Sequence, residues 1–280
     1  MGQARKTFGL WVAFCVVFAW SFTGMGQAQE APRKKDSVKR EQLNAQLLLA
    51  ASLGDTATVR AMLSKKADIN ARDGEAMTPL MLAALNGHGD TVDYLIESGA
   101  DVNLADIYGV TALMQASWAG HTPIVDTLLS YGADANKKST DEFSKLKKKG
   151  ITALMAAAMT GDYETASLLI TRGAQVDLQD EEGQTALIYA SKGGYLKIAR
   201  LLISNGADVE IKDQYGRPAL TIATIHDHPE VVKALLGCGA NPNVKDMNSY
   251  TPKVYASALR RDTIYRILEY NRSSRPAWHY

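Results

Sequence analysis

Gly99-Ala100-Asp101-Val102-Asn103 is the stretch from which this chain is best read. Variants of it recur as Gly132-Ala133-Asp134-Ala135-Asn136, Gly173-Ala174-Gln175-Val176-Asp177, Gly206-Ala207-Asp208-Val209-Glu210 and Gly239-Ala240-Asn241-Pro242-Asn243. The intervals between the first glycines are all equal except the one from Gly132 to Gly173, which is longer. A second marker runs in phase: Thr78-Pro79-Leu80, Thr111-Ala112-Leu113, Thr152-Ala153-Leu154, Thr185-Ala186-Leu187, Pro218-Ala219-Leu220 and Thr251-Pro252-Lys253. Two motifs locked at one period in this range signify stacked structural units, each too small to bury its own apolar face.

The unit follows from local rules. Thr78 caps a helix start, and Pro79 fits its first turn, where a missing N–H costs nothing. Leu80, Ala83 and Ala84 share one helix face. Gly87 ends this helix and Gly99 the next, since a left-handed residue beyond a helix end suits glycine. Asp90 opens the second helix, which carries Val92, Leu95 and Ile96 inward. Asp101-Val102-Asn103 is expected to be extended, and Asp106 leads into a tight turn at Tyr108-Gly109. The result is helix, turn, helix and a projecting finger.

The residues Thr78–His88, followed by Tyr94–Asn103, resemble the ankyrin repeat. The resemblance implies an all-α solenoid of helix-turn-helix units with β-hairpin-like finger loops. Steps of one period give seven units including atypical end caps: 41–73, 74–106, 107–147, 148–180, 181–213, 214–246 and 247–270. The first has Ala45 at the Thr position and Lys66 at the Gly position. The last has Lys253 at the Leu position and Arg272 at the Gly position. End units meet water on one face, so departures are expected there. Residues 271–280 form a tail.

Ahead of the stack, Arg5 and Lys6 precede an uncharged apolar run from Phe8 to Phe22. Small residues follow, with Gly26-Gln27-Ala28 as a cleavage site. This reads as a secretory signal over residues 1–28, since the run is short for a membrane span, which needs ~20 apolar residues. An uncleaved signal-anchor is the alternative. Residues 29–40 read as a flexible charged leader. An exported protein, periplasmic or secreted, is therefore expected, and no membrane association once the signal is removed. Loss of residues 1–28 takes Arg5 and Lys6 from the 31 basic residues and none of the 30 acidic ones, so a slight acidic excess remains. That balance argues against nucleic-acid binding, which needs a basic surplus. Cys238 is then the single cysteine, so no internal disulfide forms. It reads as a small apolar residue near a helix end.

No catalytic residue, metal ligand or cofactor site is expected. There is no Gly-rich phosphate loop and no nucleophile elbow. His88, His121 and His228 share one repeat position, which the resemblance makes structural, tying the turn between helices to its neighbour. His226 and His228, two apart, point away from each other on a helix, whereas helical metal pairs are four apart. The Asp and Asn residues after the glycines serve turns and caps.

What remains is surface. The resemblance implies that a protein partner meets the concave face, built from finger turns and first helices. Tyr108, Val110, Trp118, Met159, Glu182, Lys192, Tyr215, Arg217 and Ile225 are the candidate partner-binding residues. Exposed aromatic and Arg groups are typical hot spots. The extra length of the long interval falls around Asn136–Gly150 and carries Lys137, Lys138, Lys145, Lys147, Lys148 and Lys149. This segment reads either as a tolerated surface loop or as a basic contact arm. The chain thus reads as a non-catalytic interaction module, an adaptor, inhibitor or stabiliser of another protein, and as a monomer. The competing readings are a membrane-tethered scaffold and an enzyme with a site in the finger loops.

Overall fold

The computed structural model describes residues 32–140 and 149–273. The expected signal over 1–28 and most of the tail lie outside the described residues. Fourteen helices and no named strand are found among the described residues. They come in pairs: α1 (Pro32–Leu53) with α2 (Thr56–Ser64), α3 (Pro79–Asn86) with α4 (Gly89–Glu97), and α5 (Ala112–Ala119) with α6 (Thr122–Ser130). Then follow α7 (Ala153–Thr160) with α8 (Tyr163–Thr171), and α9 (Ala186–Gly193) with α10 (Leu196–Ser204). The last are α11 (Ala219–Ile225) with α12 (Pro229–Gly237), and α13 (Pro252–Ala258) with α14 (Asp262–Ser273). The chain forms two compact units, Met1–Lys39 and Arg40–Tyr280. Apart from the first turns of α1, all the helices of the described residues lie in the second. The leader expected over 29–40 is helical from Pro32 onward.

The helix signals act as their chemistry dictates. The hydroxyls of Thr78, Thr111, Thr152, Thr185 and Thr251 each accept the backbone N–H three residues on. Gly87 closes α3 in the left-handed conformation at φ 80°. At the other glycine position Lys66 takes φ 68°, so the first pair keeps the turn without glycine.

From α3 onward first helices pack on first helices and each on its own partner, and from α2 onward second helices pack on second. Ala83, Ala116, Ala157, Ala190 and Ala223 are fully buried, so neighbouring backbones approach closely. One continuous core runs through the stack, with Leu47, Leu80, Leu95, Leu113, Leu128, Leu154, Leu169 and Leu187 within it. Burying each leucine contributes ~2 kcal/mol, and that burial needs the neighbouring pairs, because no single pair covers its own apolar face.

Asp101–Asn103, expected to be extended, turns instead. The Asp101 Oδ1 accepts the Asn103 N–H at 2.9 Å. The end of the motif also staples neighbours together. Asn70, Asn103 and Asn136 use Oδ1 to accept the N–H of Asp101, Asp134 and Gln175 in the following unit. Asp177 and Glu210 accept Asp208 and Asn241 in the same way.

Candidate partner-binding face

Each finger is a tight hairpin built on one carboxylate. Asp106 Oδ1 accepts the N–H groups of Tyr108 and Val110, both at 2.9 Å. Asp73, Asp180, Asp213 and Asp246 make the same pair of bonds. Two fingers close with an isolated bridge, Ala105 to Thr111 and Lys212 to Pro218. Successive fingers are then joined backbone to backbone. Ile107 N–H donates to Glu75 O, Thr140 to Tyr108 O, Glu181 to Lys149 O, Gln214 to Glu182 O and Met247 to Tyr215 O.

The insertion interrupts only one finger, at its tip. Ser139 takes the carboxylate's place, and its Oγ accepts the Ile151 N–H at 3.0 Å. Thr140 and Lys149 keep their bonds to the fingers on either side. The extra residues are 141–148, outside the described residues. Lys137 and Lys138 are not part of a free basic arm. Their Nζ atoms donate to Asn103 O at 2.7 Å and Gln179 O at 2.6 Å, linking three units.

The first helices add a second row. Leu85, Trp118, Met159, Lys192 and Ile225 occupy equivalent positions near the ends of α3, α5, α7, α9 and α11, which pack in sequence. Leu85, Trp118 and Met159 are half-buried against the core, Ile225 is half-buried, and Lys192 is exposed. The histidines fix this row. Nε2 of His121 pairs with Leu85 O at 3.2 Å, and that of His228 with Lys192 O at 3.0 Å. His88 reaches Ser52 O in the same way, as the shared position requires. Arg261 continues the pattern with Nη2 on Ile225 O.

Of the finger residues, Tyr215 is 51% exposed with the Arg217 guanidinium 4.5 Å above its ring. Tyr108 packs partly against the core, and Glu182 is half-buried. Val110 is not a surface residue: only 1% of it is exposed. The hairpin folds this residue inward against the next finger, and Met77, Ile151 and Gln184 before their Thr are buried too. Cys238, expected to pack as a small apolar residue, is exposed at the end of α12.

Charge divides along the face. Burial pushes the Asp106 carboxyl above its ordinary range, Glu75 and Asp73 add to that, and the two backbone N–H bonds oppose it. No cation or hydroxyl meets its second oxygen among the described residues. Asp213 lies against Arg217, whose Nη2 is 2.7 Å from Oδ2. Asp180 takes the Tyr189 hydroxyl, and burial together with that carboxylate raises the phenol's pKa. For Asp246, burial works upward, but the Tyr255 hydroxyl and two backbone N–H groups hold its pKa below the usual range. The same contact, after burial, pushes Tyr255 up to about 12. His226 is held below its ordinary range, first by burial and then by Lys192, His228, Arg217 and Arg261.

A family model described as ankyrin repeats (3 copies) matches residues 47–139, 138–213 and 154–246, well over half of the chain. The chain belongs to the ankyrin-repeat family. No curated protein matches it. Ankyrin repeats generally mediate protein–protein interaction and are typically non-catalytic. Among the described residues no helix of the stack is long and apolar enough to cross a membrane. The same residues gather no three His, Cys, Asp or Glu side chains where a metal could bind.

Sequence reasoning found the two rows but missed what ties them. The finger ladder, the Asn staples and the Tyr189–Asp180 pair left no signal beyond polar residues at fixed phase.

Proposed function

We propose that this protein is an adaptor that acts outside the cytoplasm and holds another protein against its finger face, as an inhibitor or stabiliser of that partner. In this reading the stack comprises the seven units 41–73 to 247–270 and follows a cleaved secretory signal at 1–28. The observation that carries it is the pair of rows: Tyr108 and Tyr215 on the fingers, Trp118, Met159, Lys192 and Ile225 on the helices. Backbone bonds hold the finger row and histidine side chains the helix row, so a partner would meet side chains carried on an already ordered backbone.

The test is affinity capture from the exported fraction of the host, with a Tyr108→Ala/Trp118→Ala double variant alongside. Each substitution is expected to weaken binding by roughly 2 kcal/mol, the scale of an interface hot spot, without unfolding the stack. Equal capture by both baits would move the binding face elsewhere. The tethered reading rests on the apolar run Phe8–Phe22. N-terminal sequencing of the mature chain separates the two: a start near Gln29 excludes the tether.

A further inference from the structure

The finger carboxylates of Asp106, Asp180, Asp213 and Asp246 are each at most 9% exposed. All spend Oδ1 on two backbone N–H groups, and they differ in what meets Oδ2. Asp180 Oδ2 accepts the Tyr189 hydroxyl, and Asp246 Oδ2 accepts that of Tyr255 at 2.6 Å. Both tyrosines stand at the same place in the first helix, in the turn after its capping Thr. Asp213 Oδ2 takes the guanidinium of Arg217. The Asp106 finger has none of these. Val110 stands at the arginine position and Gln115 at the tyrosine position.

This second oxygen is open. The buried side-chain atoms sealed without a hydrogen bond among the described residues are Ser117 Oγ, Gln184 Oε1, Ser191 Oγ and Arg261 Nε, and Asp106 Oδ2 is not one of them. Glu75 and Asp73, on the preceding finger, are the charged groups that act on Asp106, and both repel its charge. Arg72 beside them gives Nη1 to Ala105 O at 3.1 Å.

The Asp213 finger shows what such a site holds. The Arg217 guanidinium lies 4.5 Å from the centre of the Tyr215 ring, while its Nη2 reaches Asp213 Oδ2 at 2.7 Å. Tyr108 bears the same relation to Asp106 as Tyr215 to Asp213, each giving its N–H to the carboxylate's Oδ1. The Asp106 finger thus presents the same ring and the same carboxylate, with valine where the arginine would be.

We propose that the Asp106 finger receives an arginine side chain of the partner protein, its guanidinium over Tyr108 and against Asp106 Oδ2, with Glu75 and Asp73 alongside. Arginine suits the site better than lysine, because a planar guanidinium stacks on a ring and bonds a carboxylate at once. The inference rests on the adaptor reading and gives that partner its chemistry: a segment that offers an arginine to the N-terminal half of the finger face.

The test is a ligand-observed NMR titration of the full chain, purified from its own host. The probe is a blocked glycine peptide carrying one arginine, with lysine, citrulline and glutamate versions beside it. The arginine peptide is expected to bind, the lysine one more weakly, and the uncharged and acidic ones not at all. Asp106→Asn should weaken arginine binding about tenfold or more, the scale of one hydrogen bond to a charged group. Gln115→Tyr should do the same by another route, since it supplies from α5 the hydroxyl that Tyr189 and Tyr255 supply elsewhere. Asp93→Asn, at an exposed acid on α4, should change nothing. Thermal melts of the three variants check that they fold. Absence of arginine binding overturns the proposal, as does equal binding of arginine and citrulline, or binding that Asp106→Asn leaves intact. The peptide reads the site without the partner, so the two readings fail separately. A protein captured on the finger face by a chain that ignores arginine would sink this inference and leave the adaptor standing.

Discussion

The fingers at Asp106–Thr111 and Asp213–Pro218 have the same backbone and opposite surroundings. Both carboxylates accept two N–H groups on one oxygen, and both hairpins close with an isolated bridge. Their glycines, Gly109 and Gly216, have φ of 75° and 78°. The difference lies around the second oxygen. Asp213 is clamped by Arg217 through Nε and Nη2, while Asp106 has Glu75 and Asp73 as its charged neighbours. The repeat therefore preserves the carboxylate for the turn it builds and leaves its charge to be settled locally.

The largest expected difference between the two fingers lies at their glycines. A Cβ on Gly109 would come within 2.5 Å of the Thr140 N, while on Gly216 the nearest atom, the Met247 N, is 3.1 Å away. Gly109→Ala should cost about 3 kcal/mol and Gly216→Ala about half of that, since a left-handed backbone strains both and a clash adds to the first. Urea midpoints measure this, and equal losses would mean that the interrupted finger yields freely. Next comes Arg217→Met, which leaves a buried carboxylate without its cation and should cost about 2 kcal/mol. Adding Asp213→Asn should recover most of that loss, and no recovery would deny that the pair is electrostatic.

The smallest effect belongs to Asp106→Asn, within about 1 kcal/mol, because the amide oxygen still accepts both N–H groups. Its sign depends on pH. A carboxyl raised in the folded state contributes stability that is complete below its unfolded pKa and is lost as pH rises through the folded one. The variant should therefore lack that loss and gain on the native chain as pH climbs from about 4 towards neutrality. Melting temperatures across that range would show two parallel curves if Asp106 were ionised without penalty.

The architecture was legible because its signals are local. Thr78, Pro79, Gly87 and Gly99 each act within a few residues of themselves, and their phase carries the rest. Even the place of the insertion could be read from the one long interval, between Gly132 and Gly173. The candidate face was legible only in part. Val110 and Tyr108 look equally apolar and lie two apart, yet the hairpin turns one into the core and leaves the other half outside. That depends on how the next finger closes over it. Lys137 and Lys138 read as part of a surface loop or basic contact arm, but each reaches a carbonyl in another unit. These pairings follow the repeat spacing, 34 and 41 residues apart, but the pattern does not say which side chain reaches which carbonyl.

Each helix pair packs chiefly on the pairs beside it. Pulled from its two ends, such a chain has no single catch that must give way at once. Pairs would peel off in turn, each releasing one finger bond, one side-chain staple and one layer of leucine and alanine. The molecule would lengthen in steps rather than snap. Every layer would bear the same tension, and the middle of the stack, where Ala156, Ala157 and Ala158 are fully buried, would yield after the ends because it has a neighbour on each side.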